Sequence, residues 1–139
     1  METEGVLALP IIYKSDIKPD ASVIAALYRK AQLNRPVDNL DRLQRMYEGS
    51  NLVISAWDGD KLVGVLRGWL DEAYDGYICD LAVDPDLQKS GIGKELLNKV
   101  TSANSEVQFV LRASKIATDY YKHIGWGKIE NGWYFSRER

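Results

Sequence analysis

The sequence predicts an α/β fold in which helices pack on a mixed central sheet. Three observations support this prediction. β-rich runs cluster in the middle of the chain, four segments carry apolar residues at helical spacing, and residues 76–112 have the pattern of a strand, a loop, a helix and a second strand. Runs joined by a tight turn form antiparallel neighbours, whereas a strand–helix–strand unit forms a parallel pair. The same pattern excludes a pure β-sandwich and a helical bundle.

The first third of the chain is predicted to form one short strand and two helices. Residues 11–14 are β-rich, and residues 21–32 place apolar side chains at helical spacing behind Asp20, a possible N-cap. A second helix is predicted over residues 39–47. It stops at Gly49, where a left-handed C-terminal residue is expected.

The rest of the chain supplies the remaining strands and helices. Two β-rich runs, residues 52–57 and 61–70, are separated by Asp-Gly-Asp, the composition of a tight hairpin turn. The later predicted elements are a strand over 76–83, a helix from about 91 to 103, a strand over 107–112, a helix over 116–124 and a terminal hairpin over 128–136 that turns at Asn131 and Gly132.

The composition favours one domain over residues 1–139 and excludes several kinds of site. The chain is 45% hydrophobic and 27% charged, the balance of a globular domain with a real core. Its net charge of -2 gives no global attraction to nucleic acid or to an anionic membrane. One cysteine and one histidine exclude an internal disulfide and a structural zinc cluster, so no metal is expected. The first ten residues have neither a basic start nor a sustained apolar run, and we expect a cytoplasmic protein.

Residues 88–94, Gln-Lys-Ser-Gly-Ile-Gly-Lys, lie between a predicted strand and the first turn of a predicted helix. That turn has free N–H groups and the positive end of the helix dipole, and Gly91 and Gly93 let the backbone approach an anion closely. Lys89 and Lys94 add positive charge. Glycines that merely begin a turn are the alternative, but the strand–loop–helix context favours a phosphate site. The spacing fits neither a nucleoside-triphosphate loop nor a dinucleotide fingerprint.

The pattern Gln-x-x-Gly-x-Gly at Gln88, Gly91 and Gly93 resembles the pyrophosphate loop of the GNAT superfamily of acyl-CoA-dependent N-acetyltransferases. Residues 117–126, ATDYYKHIGW, are similar to that family's later Ala-x-x-aromatic-Tyr-x-x-x-Gly-aromatic segment, in the expected order and separation. Many members have an Asn three residues before this Ala, where the present chain has Ser114. A hydroxyl can bond a cofactor group but cannot copy the paired donor and acceptor of an amide.

The resemblance implies a mostly antiparallel sheet with one parallel pair of strands that splay apart, and acetyl-CoA as the cosubstrate. It implies that the pantetheine arm pairs with the fourth strand, at residues 81–83, where the N–H of Leu81 or Ala82 stabilises the oxyanion. The cofactor-binding residues implied are Leu81, Ala82, Val83, Gln88, Lys89, Ser90, Gly91, Ile92, Gly93, Lys94, Ser114 and Tyr121.

The resemblance also implies direct attack of an amine on the thioester, with Tyr121 donating a proton to the leaving thiolate. The ordinary tyrosine pKa of roughly 10 keeps the phenol protonated at neutral pH, as a general acid requires. Tyr120 is expected on another face of the helix. Packing of both tyrosines against the sheet is the alternative.

An acceptor amine is mostly protonated at neutral pH, so a proton must leave it directly or through water. Asp80 is the first candidate base, because it interrupts an apolar strand and needs a cleft or partners there. Glu72 and Asp71 are alternatives, and a structural hydrogen-bonding role for Asp80 has equal weight. Cys79 is better explained as a buried strand cysteine, and His123 matches no catalytic position of the family pattern.

In GNAT enzymes the acceptor pocket is built from the first two helices, their connecting loop and the turn before the fourth strand. Here these regions supply Tyr28, Asn34, Arg35, Tyr47, Trp69, Asp71, Glu72, Tyr74 and Asp75, of which Tyr28, Trp69 and Glu72 are the predicted acceptor contacts. A solvated hairpin turn is the alternative for residues 71–76. Aromatic faces with carboxylates suit a cationic amine, so a small primary amine, such as an arylalkylamine or a polyamine, is the expected acceptor. A protein amino terminus or lysine is the alternative acceptor, and a catalytically silent acyl-CoA sensor is the alternative function. The apolar end of the chain is a possible homodimer contact.

Overall fold

The computed structural model describes residues 10–139. The strands and α-helices are β1 Ile12–Lys14, α1 Ala21–Ala31, α2 Leu40–Glu48, β2 Leu52–Asp58, β3 Lys61–Leu70, β4 Asp75–Val83, α3 Ile92–Ala103, β5 Gln108–Leu111 and α4 Thr118–His123. A 3₁₀ helix, Pro85–Ser90, connects β4 to α3. The sequence predicts only a polar loop at that connection.

The five strands form one sheet in the order β1-β2-β3-β4-β5. The first three pairings are antiparallel, and β4 pairs with β5 in parallel. The β2–β3 hairpin closes at the pair Asp58 and Lys61, and Gly59 takes a φ of 60° in its turn. A positive φ is a conformation that glycine adopts without a steric penalty. The predicted mixed, mostly antiparallel sheet is confirmed.

Helices cover both faces of the sheet. On one face α1 and α2 bury side chains against β2 and β3, including Ile24, Leu27, Leu43, Val53 and Val65. On the other face α3 packs its apolar stripe on the same strands, including Leu96, Leu97, Val100, Ile54, Val63 and Leu66. Burial of such side chains contributes roughly 1.5–3 kcal/mol each, so these two layers fix where the sheet lies between the helices.

The helix ends differ from the sequence analysis in two details. Asp20 is the N-cap of α1 with an extended backbone, but its side chain makes no capping hydrogen bond. Gly49 has a φ of -82°, so the predicted left-handed C-terminal residue there is wrong. Its N–H still bonds to the Arg45 carbonyl and the Ser50 N–H bonds to that of Tyr47, which keeps the chain in a right-handed turn past the helix end.

The predicted terminal hairpin over residues 128–136 is also wrong. No strand follows β5 in the part of the chain that the structure describes, and the side chains of Trp133 and Phe135 are 95% and 101% exposed. The Arg112 guanidinium lies 4.9 Å from the centroid of the Tyr134 ring. An Asn-Gly turn is a local signal, whereas a strand needs a neighbour and apolar burial that this segment does not obtain.

No helix within residues 10–139 is both long and apolar enough to cross a membrane.

Candidate active site

The gap beside β4 comes from the different lengths of two parallel strands. β4 continues to Val83, but its last pair with β5 is Ile78 with Leu111. Residues 79–83 therefore have β3 on one side and, within residues 10–139, no strand on the other. Because backbone N–H and C=O groups alternate in direction along a strand, some of those at residues 79–83 face this gap. An extended ligand can pair with them as an added strand.

A bulge shapes β4 at the start of this gap. Arg67 pairs with Asp80 while Gly68 pairs with Ile78, so Cys79 is the extra residue. A Cβ on Gly68 would lie 2.2 Å from the Tyr77 carbonyl oxygen, which means that only glycine fits on β3 opposite the bulge. Bulges bend a strand and redirect its side chains and carbonyls, and they are common next to active sites. The bulge places the Cys79 carbonyl where Arg35 donates to it, with 2.9 Å between Nη2 and the oxygen.

Asp84 fixes the chain where β4 gives way to the 3₁₀ helix. This buried carboxylate accepts from the Asp86 N–H, and the ammonium groups of Lys30 and Lys61 lie 3.0 and 3.3 Å from its Oδ2. Burial alone would raise the pKa of Asp84, but the Asp86 N–H and the two lysines lower it below its ordinary value. The charged Asp84 side chain therefore caps the 3₁₀ helix and fixes the position at which the following loop begins.

The loop predicted to bind phosphates leads into the N-terminus of α3. Gly91 is the N-cap of α3 with a φ of 86°, and no side chain caps this helix end. A Cβ on Gly91 would meet nothing within 4 Å, so the surrounding space is open. The first-turn N–H groups therefore have no side-chain cap, and they carry the positive end of the helix dipole.

The side chains of this loop differ in their exposure. Those of Gln88, Lys89, Ser90 and Lys94 are exposed, and Gly93 is half-buried. Ile92 is 1% exposed and packs in the core, so only its backbone faces the loop. The Ser90 hydroxyl donates to the Leu87 carbonyl within the 3₁₀ helix. The structure thus brings the predicted loop residues together beside the gap and presents an anion with backbone N–H groups and two lysines.

Tyr121 lies on α4 and packs against the core on the α3 face of the sheet. Its half-buried ring meets Tyr120 and Trp126 edge to face, with centroids 5.4 and 5.8 Å away. Burial, with a contribution from Tyr120, raises the pKa of Tyr121 to about 12, so the phenol keeps its proton at neutral pH. The Tyr120 hydroxyl lies 3.7 Å from the position of a Cβ on Gly93. Tyr120 thus reaches the first turn of α3, a contact that the sequence pattern does not predict.

Ser114 accepts hydrogen bonds from the residues at the start of α4. Its hydroxyl accepts from the Ala117 N–H at 3.2 Å, and its carbonyl accepts from the backbone N–H and the hydroxyl of Thr118. A short hydroxyl side chain often supplies such local hydrogen bonds to the backbone. The residue that replaces the family's usual Asn therefore holds the turn that leads into α4.

Asp80 lies in a buried charged network. Its Oδ1 accepts from Arg35 Nε at 2.6 Å, and its Oδ2 accepts from Arg67 Nε and the Tyr28 hydroxyl, both at 2.7 Å. Its side chain is fully buried. Burial alone would raise the pKa of Asp80, but the hydrogen bond and charge of Arg67, with the charge of Arg35, lower it. Of the two roles that the sequence left open, this geometry favours the structural one.

The three residues predicted to contact the acceptor do not come together. Tyr28 is 0% exposed and bonds to Asp80 and Tyr47, so it lies in the core rather than at an acceptor surface. Trp69 is 40% exposed on the α1–α2 face, where its Nε1–H donates to the Gly49 carbonyl. Glu72 lines an open cavity with Lys99, which belongs to the α3 face. Of the three, only Trp69 is exposed on the α1–α2 side of the bulge.

Asp71 and Glu72 lie in the turn between β3 and β4. Asp71 accepts from three turn N–H groups, those of Ala73, Tyr74 and Asp75. These hydrogen bonds lower the pKa of its carboxyl. Asp71 is therefore committed to holding the turn, and Glu72 has a φ of 67° within it.

Sequence reasoning missed Arg67, which is central to the site. Its side chain is 4% exposed, and it donates to Asp80, to the Ser50 hydroxyl and to the Cys79 sulfur. A signal was available: an arginine interrupts the apolar run of β3, and an aspartate interrupts that of β4. Opposite charges on neighbouring strands indicate a buried pair only when the register is known.

β4 thus continues beyond its last pair with β5, next to a helix N-terminus without a side-chain cap, and the comparisons identify the family. Residues 20–136 match the family model described as an acetyltransferase (GNAT) domain. The chain belongs to this GNAT acetyltransferase family. Within residues 10–139 no group of three or more His, Cys, Asp or Glu side chains could hold a metal ion.

Curated and solved relatives agree with this family. The probable acetyltransferase TAP2 of Glycine max is 27% identical over 89% of this chain and 54% of its own. A protein of Staphylococcus aureus described as a probable acetyltransferase has a TM-score of 0.76 at 20% identity, covering 92% of this chain and all of its own. An aminoglycoside N-acetyltransferase solved with CoA has a TM-score of 0.70 at 13% identity, covering 94% and 96%. The chain spans about a quarter to a half of the length of the curated relatives it matches.

Proposed function

We propose that this protein transfers an acetyl group from acetyl-CoA to the amine of a small acceptor. One observation carries the proposal: an uncapped helix N-terminus with an open Gly91 lies beside a strand whose backbone faces a gap. The helix N-terminus suits the phosphates of CoA, and the unpaired strand edge suits its extended, amide-bearing pantetheine arm, so the two surfaces must be adjacent. The proposed acetyltransferase activity is consistent with the family of the domain.

The residues present fit CoA. Lys89 and Lys94, with the N–H groups of the first turn of α3, supply positive charge for a pyrophosphate. The backbone of Leu81, Ala82 and Val83, which has no β5 partner, would pair with the pantetheine amides, and an N–H of Leu81 or Ala82 would stabilise the oxyanion. When bound, acetyl-CoA supplies the activated thioester that the amine attacks.

Tyr121 is the proposed general acid. Its raised pKa keeps the proton on the phenol until a thiolate leaves. The half-buried ring is held by Tyr120 and Trp126, which limits the directions in which the hydroxyl can point. Positioned proton donors contribute roughly 10²–10⁴-fold to a rate.

Asp80 is assigned a positioning role rather than that of the base. Its side chain is fully buried, and both of its oxygens accept hydrogen bonds from a guanidinium or a phenol, so the carboxylate is held by these partners rather than presented to an acceptor. Glu72 lies toward the other face of the sheet, and Asp71 is occupied by its turn. We therefore assign removal of the ammonium proton to water at the partly exposed edge of the site, where Arg35 is 28% exposed.

Calorimetric titration with CoA and with dephosphorylated pantetheine tests the loop, and thiol release from acetyl-CoA with a panel of small amines and peptides tests the transfer. We expect binding that depends on the pyrophosphate and turnover on small amines. Turnover confined to peptides would replace the small-molecule acceptor with a protein one. Binding without any turnover would overturn the enzymatic proposal in favour of an acyl-CoA sensor.

A homodimer is proposed through the end of the chain. Trp133, Tyr134 and Phe135 are 95%, 74% and 101% exposed, and the outer edge of β5 has no strand neighbour within residues 10–139. Adjacent exposed aromatic residues and an open sheet edge favour association with a second copy. Sedimentation velocity of the wild type against the double variant Trp133→Ser and Phe135→Ser tests this. Two monomeric samples would overturn it.

A further inference from the structure

The α1–α2 side of the β4 bulge carries a cluster of cations that the expected acceptor does not explain. We call Arg35, Arg67 and Asp80 the guanidinium cluster. Arg35 Nε and Arg67 Nε bind opposite oxygens of Asp80 at 2.6 and 2.7 Å. Both guanidinium groups also reach Cys79, Arg35 at the carbonyl oxygen and Arg67 at the sulfur. The cluster therefore surrounds the bulge at the start of the gap.

This cluster has an excess of positive charge. Two guanidinium groups face one carboxylate, and the Tyr28 hydroxyl that completes the carboxylate's shell is neutral. Arg67 is only 4% exposed, whereas Arg35 is 28% exposed and uses three of its N–H groups, toward Asp80, the Asn34 carbonyl and the Cys79 carbonyl. A guanidinium has five N–H donors, so two remain on the exposed member.

The acidic residues nearest in sequence to the cluster do not cancel this excess, since Asp38 is paired with Arg29. Asp75, at the start of β4, is five residues from Asp80, roughly 16 Å along an extended strand and beyond the screening length of about 8 Å. Asp71 is paired across from Asp75 at the same far end. Arg112 follows Leu111, the last β5 residue paired with β4, and adds a cation on the other side of the gap.

An aromatic surface lies beside the cluster. The rings of Trp69 and Tyr77 are stacked with centroids 6.3 Å apart and planes 12° from parallel. The Arg67 guanidinium lies 5.3 Å from the Trp69 centroid. Trp69 is 40% exposed, so an apolar part of a ligand can lie on this pair while its polar part reaches the cations.

We propose that the acceptor is an amine that also carries a carboxylate, which Arg35 binds, with its apolar side chain against Trp69 and Tyr77. Guanidinium binds a planar carboxylate through paired N–H donors, whereas a polyamine or another multiply charged cation is repelled by the excess charge. This inference rests on the proposed acetyl transfer and replaces the arylalkylamine and polyamine acceptors expected from the sequence. An aromatic α-amino acid combines all the required features.

Thiol release from acetyl-CoA is measured with L-phenylalanine, L-phenylalaninamide, phenethylamine and spermidine as acceptors. We expect L-phenylalanine to have a kcat/KM at least tenfold above that of L-phenylalaninamide. Arg35→Gln should raise the KM for L-phenylalanine at least tenfold while the Kd for CoA stays the same, and Arg35→Lys should restore part of the loss. Arg45→Gln, on the exposed part of α2 and paired with Asp41, is the matched control and should behave as the wild type.

Each outcome bears on a different proposal. Equal or faster transfer to L-phenylalaninamide, phenethylamine or spermidine would overturn the carboxylate inference and leave acetyl transfer standing. An unchanged KM in Arg35→Gln would overturn the assignment to Arg35. The absence of transfer to all four acceptors and to the peptide panel would overturn the proposed acetyl transfer and this inference with it.

Discussion

Burial of Tyr121 keeps its phenol protonated, as its proposed role as general acid requires. Since its pKa is raised to about 12, replacement by phenylalanine removes a proton donor without removing a charge. We expect Tyr121→Phe to lower kcat roughly 10²-fold, the lower end of what a positioned acid contributes, with little change in the Kd for CoA. The matched control is Tyr74→Phe, because Tyr74 is 74% exposed in the β3–β4 turn. Unchanged turnover in Tyr121→Phe would remove the residue from the mechanism.

Asp80 allows the structural and the catalytic role to be separated by a stability measurement. Asp80→Asn leaves Arg67 buried without its counter-charge, and breaking a buried pair typically costs about 3–5 kcal/mol. We expect a decrease of that order in the free energy of unfolding, measured by urea titration followed by circular dichroism. A variant with wild-type stability and strongly reduced turnover would instead restore Asp80 as the base.

At the scale of the element, the loop before α3 depends on Gly91. Gly91→Glu adds a side chain in a conformation with a φ of 86° and places a carboxylate at the anion site. Gly125→Glu is the matched control, because its φ is 93° and its Cβ would also meet nothing within 4 Å. We expect both variants to lose similar stability, about 1 kcal/mol, from the strained backbone.

CoA binding should distinguish the two glycine variants. The Gly91→Glu carboxylate repels a pyrophosphate at the helix N-terminus, so we expect its Kd for CoA in calorimetry to rise at least tenfold. Gly125→Glu should keep the wild-type Kd. Equal affinities in both variants would show that the phosphates bind elsewhere.

The sequence correctly predicts the elements whose limits are marked by residues close by in the chain. β3 was predicted over residues 61–70 and has these bounds, because a tight turn and a polar turn delimit one apolar run. The Cys79 bulge and the Arg67–Asp80 pair were not predicted, because both depend on the register between strands rather than on either strand alone. The terminal hairpin shows the opposite error: Asn131 and Gly132 are a local turn signal, which says nothing about whether a neighbouring strand is available, and no hairpin forms there.

In the candidate site, too, the sequence predicts local features but not contacts between distant residues. The loop around Gly91 follows a spacing that the sequence displays, so its placement at the start of α3 could be inferred. The role of Tyr28 could not be inferred in this way. The amphipathic pattern of α1 shows which face of the helix is buried, but it does not show that the Tyr28 hydroxyl bonds to Asp80. Ser114 likewise matches a ligand position of the family, but its hydroxyl accepts from the Ala117 N–H in the turn before α4.

At the scale of the whole molecule, buried tyrosines predict the response to alkaline pH. Burial raises the pKa values of Tyr28, Tyr47 and Tyr121 above the value of roughly 10 in an unfolded chain. Above that pH the folded state holds more protons than the unfolded state, so stability falls as the pH rises. The urea midpoint should decrease between pH 9 and about 11. A flat profile over this range would contradict the burial of these phenols.

The buried carboxylates predict the response to acid. The pKa values of Asp80 and Asp84 are lowered in the folded protein, so the unfolded chain binds protons first as the pH falls. Their contribution to stability is complete well above pH 4 and is lost as the pH drops toward the lowered values. Urea midpoints that stay constant down to pH 2.5 would show that these ion pairs contribute nothing.

The two buried aspartates also bracket the stretch of β4 that has no β5 neighbour. Asp80 bonds to Tyr28 and Asp84 to Lys30, both of which belong to α1. A strand with one open side would ordinarily fray, but here side chains of a single helix hold it at both ends. In hydrogen–deuterium exchange, the amides of residues 79–83 that face the gap should therefore exchange fast while those bonded to β3 stay protected. The molecule would thus keep a strand edge available for a ligand without giving up the rigidity of the sheet.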